Sequence, residues 1–313
     1  MDSISISLNP SYYCNFRCDF CYLSEKQLSS SMKIAPEDLY QRLLEVSMHR
    51  KIDHIDLYGG EIGILPQSYL TEIQDVIKYF YTDPISIISN LKVVNPYFRS
   101  PNIDLSVSWD YLGRESFKTV YENMKTLERP FHILVLASRK VIDFTNKELE
   151  QMWLLLADLP NLASLEIKPY SKNKHHSQDV SYNEYENWVM TWIQNSPRFK
   201  FEFINQKKIE QCLSQNISSW SDDHLYITPN GKFAVLEFDE SHNEFFMPLE
   251  TIADYFSWTL QEKSKIGSND FCSNCDYLGH CLSEHLQDVK NLDKSCNGFK
   301  NLLTWYKNER AQT

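Results

Sequence analysis

Apolar strand patterns alternate with amphipathic helix patterns through the first 170 residues, and that alternation restricts the fold more than any other feature of the chain. Residues 3–9 (SISISLN) alternate with period two, as a strand does. Residues 36–50 then place Leu39, Leu43 and Val46 on one helical face. A strand at 54–58 leads to a helix carrying Leu70, Ile73, Ile77 and Phe80. ISIIS at 85–89 and LSVSW at 105–109 read as strands, followed by a helix near 117–127, a strand at 131–136, a helix at 146–158 and a strand at 164–168. Six strand–helix units in this order imply an α/β fold with a parallel sheet and right-handed crossovers. With 313 residues, 42% of them hydrophobic, the chain can bury one large core and a smaller appendage.

Charge and composition remove several function classes. Forty-two acidic residues against thirty-one basic ones give a net charge of −11, which tells against nucleic-acid binding. No apolar run reaches the length of a membrane span. The opening MDSISISLNPSYY lacks the basic and apolar regions of a signal peptide. Eight cysteines at metal-like spacings without an export signal imply a reducing cytoplasm and metal ligation, not disulfides.

Three of those cysteines lie in Cys14-Asn-Phe-Arg-Cys18-Asp-Phe-Cys21, a C-x3-C-x2-C run. Such a loop can hold three corners of a [4Fe–4S] cube and leaves one iron without a protein ligand, an open site for chemistry. A zinc knuckle is the rival reading, but nothing near Cys21 supplies its fourth ligand. Further on, Tyr58-Gly59-Gly60-Glu61 ends the strand at 54–58. Two glycines let the backbone approach a ligand, and the Glu61 carboxylate can accept from an ammonium. Alone, this element is a weak signal and is usually just a turn.

Together, the cysteine run with Phe20 before its last cysteine and the Gly-Gly-Glu about forty residues later resemble the signature of radical S-adenosylmethionine (SAM) enzymes. The resemblance implies a partial (β/α)6 TIM-type barrel with its site at the C-terminal strand ends. It also implies a [4Fe–4S] cluster on Cys14, Cys18 and Cys21 that chelates SAM, and an electron donor such as flavodoxin or ferredoxin. Phe20 and Tyr22 flank Cys21 as cofactor contacts, and Gly59, Gly60 and Glu61 take the amino group of SAM. Ser89-Asn90 partly matches the family's Thr-Asn-Gly, and Ser108 in Val107-Ser108-Trp109-Asp110 matches its Ser-x-Asp. Arg139 and Lys168, at the next two strand ends, are candidates to pair with carboxylates of SAM or substrate. Ser89, Asn90 and Ser108 also read as strand-end caps, and the two basic residues as solvated surface charge.

The C-terminal third resembles the SPASM/twitch extension of the same family. Asn230-Gly231 sits between two short apolar stretches as a hairpin turn. An amphipathic segment with Ile252, Tyr255, Phe256 and Leu260 follows, then Cys272-x2-Cys275-x5-Cys281 and Cys296. The resemblance implies a barrel over 1–205 and a small cysteine-rich hairpin-plus-helix domain over 206–313. Where a full SPASM extension has two further cysteines, this chain has Leu236 and His285. One auxiliary [4Fe–4S] cluster on Cys272, Cys275, Cys281 and Cys296 is therefore expected, with a four-cysteine zinc site as the alternative. Cys212 fits no cluster position. It reads either as a small buried hydrophobe or as a catalytic thiol that returns a hydrogen atom to a substrate radical.

For function, the resemblance points to a peptide maturase that epimerises or crosslinks a ribosomally made peptide. Thirteen residues precede Cys14, so the peptide is expected to bind the barrel itself or a separate recognition protein. A radical enzyme acting on a sugar or nucleoside is the alternative, and a non-catalytic, zinc-stabilised binding protein the more distant one. No nucleic acid and no membrane enter any of these readings.

Overall fold

A computed structural model of the chain describes residues 2–171, 173, 175–176, 178–216, 224–236, 245–283, 296 and 298–311. Among the described residues ten strands form one sheet: β1 (Ser3–Leu8), β2 (Lys51–Leu57), β3 (Ile85–Ser89), β4 (Ile103–Ser108), β5 (Phe131–Ala137), β6 (Leu162–Pro169), β7 (Glu202–Phe203), β8 (His224–Ile227), β9 (Phe233–Leu236) and β10 (Phe246–Leu249). Their order is β10-β9-β8-β1-β2-β3-β4-β5-β6-β7, so the expected α/β class holds, and the barrel stays open between β7 and β10. Strands β1 to β7 pair in parallel, each with the next.

The helices are α1 (Glu25–Leu28), α2 (Pro36–Ser47), α3 (Gln67–Ile77), α4 (Phe117–Lys125), α5 (Arg139–Ile142), α6 (Asn146–Ala157), α7 (Tyr182–Asn195), α8 (Ile204–Leu213), α9 (Ile252–Ser268), α10 (Asp270–Ser273) and α11 (Lys300–Arg310). Helices α6, α7 and α9 open on capping boxes, Thr145/Glu148, Ser181/Glu184 and Thr251/Asp254, which satisfy backbone donors at each helix start. Among the described residues, no helix is long and apolar enough to cross a membrane.

Alternation along the strands builds two faces. Ile4, Ile6 and Leu8 of β1, Ile55 and Leu57 of β2 and Ile133 and Val135 of β5 are buried in one large hydrophobic core. The other face carries Ser7, Asp56, Ile88, Ser108, Leu134 and Lys168, which line a cavity of about 1180 Å³. That partition is what positions the site.

Beyond α8 the chain returns to the same sheet. β8 lies parallel to β1, pairing Ser5 with His224 and Leu8 with Ile227, and β9 and β10 follow antiparallel. The turn between β8 and β9 holds Gly231 at φ +72, the left-handed region that glycine enters without strain. The boundary expected after residue 205 falls within α8, and α2 clamps the hairpin: Arg42 donates to the carbonyls of Gly231 at 2.6 Å and Glu250 at 3.1 Å.

Candidate functional site

The loop after β1 and the turn after β2 are joined by main-chain hydrogen bonds. Gly60 N donates to Ser11 O at 3.0 Å, and Glu61 N to Tyr13 O at 2.8 Å. A Cβ on Gly60 would overlap the carbonyls of Tyr12 and Tyr13, so only glycine permits this approach. Gly59 has φ +134. The pairing sets the Gly-Gly-Glu segment beside the cysteine loop, whose Cys21 N closes a turn on Cys18 O at 3.1 Å.

Glu61 is turned inward. Its Oε1 accepts from Ser89 Oγ and Gly63 N, both at 2.6 Å, and its Oε2 from Asn90 N at 2.6 Å. Burial raises the Glu61 pKa, and these three donors oppose that shift. The side chain therefore ties the end of β2 to the end of β3. Asn90 Nδ2 in turn donates to Asn15 Oδ1 at 2.8 Å and lies 3.9 Å from Cys14 Sγ.

Cys14, Cys18 and Cys21 all line the cavity, with Phe20, Tyr22, Gly59, Gly60, Glu61, Ser89, Asn90 and Ser108. Tyr22 stacks on Phe245 with ring centroids 4.2 Å apart, forming an aromatic wall. Burial pushes the Cys18 thiol up to about 12, with the Arg114 guanidinium opposing it, and the Cys21 thiol up to about 11. Unliganded, these sulfurs hold their protons; a coordinating metal removes them outright. Three soft thiolates in one partly enclosed mouth suit an iron–sulfur cluster. Among the described residues no three His, Cys, Asp or Glu side chains converge enough to hold one metal ion. That is the requirement of a single ion; the thiolates of a cube each reach a separate iron.

Cys272, Cys275, Cys281 and Cys296 also gather. A Cβ on Gly298 would lie 2.7 Å from Cys281 Sγ and 3.8 Å from Cys296 Sγ, so glycine leaves room for both sulfurs. Burial, followed by the neighbouring Cys281 and Cys296, raises the Cys272 thiol to about 11. Cys212, on α8, is fully buried in the core yet borders the cavity, as Cys281 does. Burial, followed by Cys281, raises its thiol to about 12.

Two sequence candidates part company here. Lys168 lines the cavity and pairs with Glu166 at 3.0 Å. Arg139 is absent from the cavity lining; it forms ion pairs with Glu184 at 2.9 Å and Asp143 at 3.1 Å, beside α7. His285 lies outside the described residues.

The structure adds residues that sequence reading missed. Arg114 forms a buried ion pair with Asp110 at 2.8 Å, lies 5.0 Å from the Phe20 ring centroid and reaches Cys18 Sγ at 3.7 Å. On the cavity floor Ser7 Oγ donates to Asp56 Oδ2 at 2.7 Å and meets His224 Nε2 at 2.9 Å. The signal for the floor was present: serines alternating with isoleucines in β1 need a polar environment opposite the core.

An open, mostly parallel α/β sheet of this kind is already known from solved structures. anSMEcpe with bound AdoMet (SAM) aligns at a TM-score of 0.69 and 13% identity, over 99% of this chain and 98% of that one. The same protein with AdoMet and the Cp18Cys peptide gives 0.68 and 14%, over 98% and 97%. Streptococcus suis SuiB bound to precursor peptide SuiA gives 0.63 and 12%, over 90% of this chain and 71% of SuiB. These likenesses establish a shared fold. No protein-family model and no curated protein matches the sequence.

Proposed function

We propose that the protein is a radical SAM enzyme acting on a ribosomally made peptide. The observation that carries this reading is a single cavity lined at once by Cys14, Cys18 and Cys21, by Gly59-Gly60-Glu61 and by Ser108. At about 1180 Å³ it exceeds an ordinary small-molecule pocket, which supports a cofactor together with an extended peptide segment. The fold shared with anSMEcpe and SuiB, both seen with peptides, supports the same substrate class.

In this reading Cys14, Cys18 and Cys21 would hold a [4Fe–4S] cluster, and the chemistry supplied there would be one-electron cleavage of SAM to a 5′-deoxyadenosyl radical able to take a hydrogen atom from the substrate. Gly59 and Gly60 bring the backbone close to SAM, Ser108 offers a hydroxyl, and Phe20 and Tyr22 wall the site from water. Cys272, Cys275, Cys281 and Cys296 hold one auxiliary [4Fe–4S] cluster. Epimerisation is the favoured outcome because Cys212 borders the same cavity. Its S–H would transfer a hydrogen atom to the peptide α-carbon radical, giving the inverted centre and a Cys212 thiyl. One electron from a flavodoxin- or ferredoxin-type donor and one solvent proton restore the thiol.

Iron analysis after anaerobic reconstitution tests the framework. Wild type is expected to bind about 8 irons and the Cys14/Cys18/Cys21→Ala protein about 4. Equal iron in both would overturn the enzyme reading. About 4 irons in wild type with zinc in the C-terminal cysteines would remove only the auxiliary cluster. For the donor, Cys212→Ala is expected to cleave SAM yet yield no inverted residue in a cognate peptide digested and analysed for D-amino acids. Inverted product from that variant would exclude Cys212.

A further inference from the structure

The Arg114–Asp110 pair is more constrained than a structural ion pair requires. Asp110 is fully buried and the Arg114 side chain is 13% exposed. Taking both charges out of water is unfavourable unless each is fully hydrogen-bonded. Asp110 Oδ2 accepts from Arg114 Nε at 3.0 Å and from Nη2 at 2.8 Å, while Oδ1 accepts from Leu136 N at 2.8 Å, at the end of β5. One edge of the guanidinium fork is thereby fixed, and the cation lies over the Phe20 ring. The remaining Nη1 points to Cys18 Sγ at 3.7 Å.

A rigid cation with an N–H aimed at a ligating sulfur has a definite electrostatic consequence. One-electron reduction adds negative charge to a cluster, and hydrogen bonds to sulfur and nearby charge set its potential. The Arg114 guanidinium places positive charge within 3.7 Å of Cys18 Sγ, while the Asp110 carboxylate bound to it, 2.8 Å from Arg114 Nη2, places negative charge behind it. We propose that Arg114, clamped by Asp110, is a positioning residue that donates to Cys18 Sγ and raises the reduction potential of the cluster held by Cys14, Cys18 and Cys21. This rests on the radical SAM reading above. The pair makes the cluster easier to reduce, with Asp110 limiting how far.

A redox titration of reconstituted protein, followed by electron paramagnetic resonance of the reduced cluster, tests this. The spectrum of the Cys14/Cys18/Cys21→Ala protein is subtracted to remove any auxiliary signal. Arg114→Gln is expected to shift the midpoint to more negative potential. Asp110→Asn, which keeps the side-chain shape and removes the carboxylate charge, is expected to shift it to more positive potential. Opposite shifts cannot come from general loosening of the loop. An unmoved midpoint in Arg114→Gln at full iron content overturns the proposal. Should Arg114→Gln fail to load iron, Asp110→Asn decides: a positive shift supports the proposal and an unmoved midpoint overturns it. Absence of any subtracted signal in wild type overturns the radical SAM reading itself, and this inference with it.

Discussion

Asp56 shows how a single side chain can oppose the stability of the fold that buries it. Burial lifts its carboxyl from 3.8 to about 7, against the hydrogen bond from Ser7 and the charge of Lys168. Below about pH 4 the group is protonated in both folded and unfolded chains and contributes nothing. Between about pH 4 and 7 the folded chain binds the extra proton, so stability falls as pH rises and the penalty is complete above pH 7. Three pKa units correspond to an upper bound of about 4 kcal/mol. Asp56→Asn is therefore expected to be the more stable protein at pH 8 and nearly equal to wild type at pH 4, read from urea unfolding at both. Parallel pH profiles for the two proteins would show that the floor carboxylate is not desolvated. Arg114 is the opposite kind of residue: its role follows from the turn at Tyr111–Gly113 and from Asp110, and neither marks it in the sequence.

At the level of elements, what was legible depended on whether local pattern alone decides the outcome. β3 falls on residues 85–89, as its alternation indicates, and α6 begins where its capping box places it. β2 begins at Lys51, earlier than expected, because its first residues pair with β1. α7 escaped the sequence reading although Ser181-x-x-Glu184 opens it and Trp188, Val189 and Trp192 form its buried stripe. β7 has two residues and β10 four, too short for periodicity to register. The cysteine loop and the Gly-Gly-Glu turn were legible as motifs. Their main-chain pairing, and the commitment of Glu61 to Ser89 and Asn90, are tertiary facts that no spacing encodes.

Over the whole molecule, the sheet ties the two ends of the chain together. β8 covers β1 through four paired residues, and Leu225, Ile227, Phe233 and Val235 enter the same core as Ile4, Ile6 and Leu8. The contacts between α2 and the C-terminal part are specific: the Arg42 guanidinium lies 4.9 Å from the Phe233 ring centroid, and Glu45 Oε1 accepts from Ile252 N at 2.9 Å. Removing everything after residue 205 would expose β1 as an unpaired edge, leave its neighbours' apolar faces in water and strand Arg42 and Glu45 without these partners. Loss of four side chains such as Leu225, Ile227, Phe233 and Val235 from a core is alone worth roughly 6–12 kcal/mol at 1.5–3 kcal/mol each, comparable to the whole stability of a domain. The expected result is that residues 2–205 do not fold as an independent unit, and that the intact chain unfolds in one calorimetric transition with matching calorimetric and van't Hoff enthalpies. Two separated transitions, with the earlier one lost on truncation and the later one kept, would show that the cysteine-lined sheet stands without its C-terminal strands.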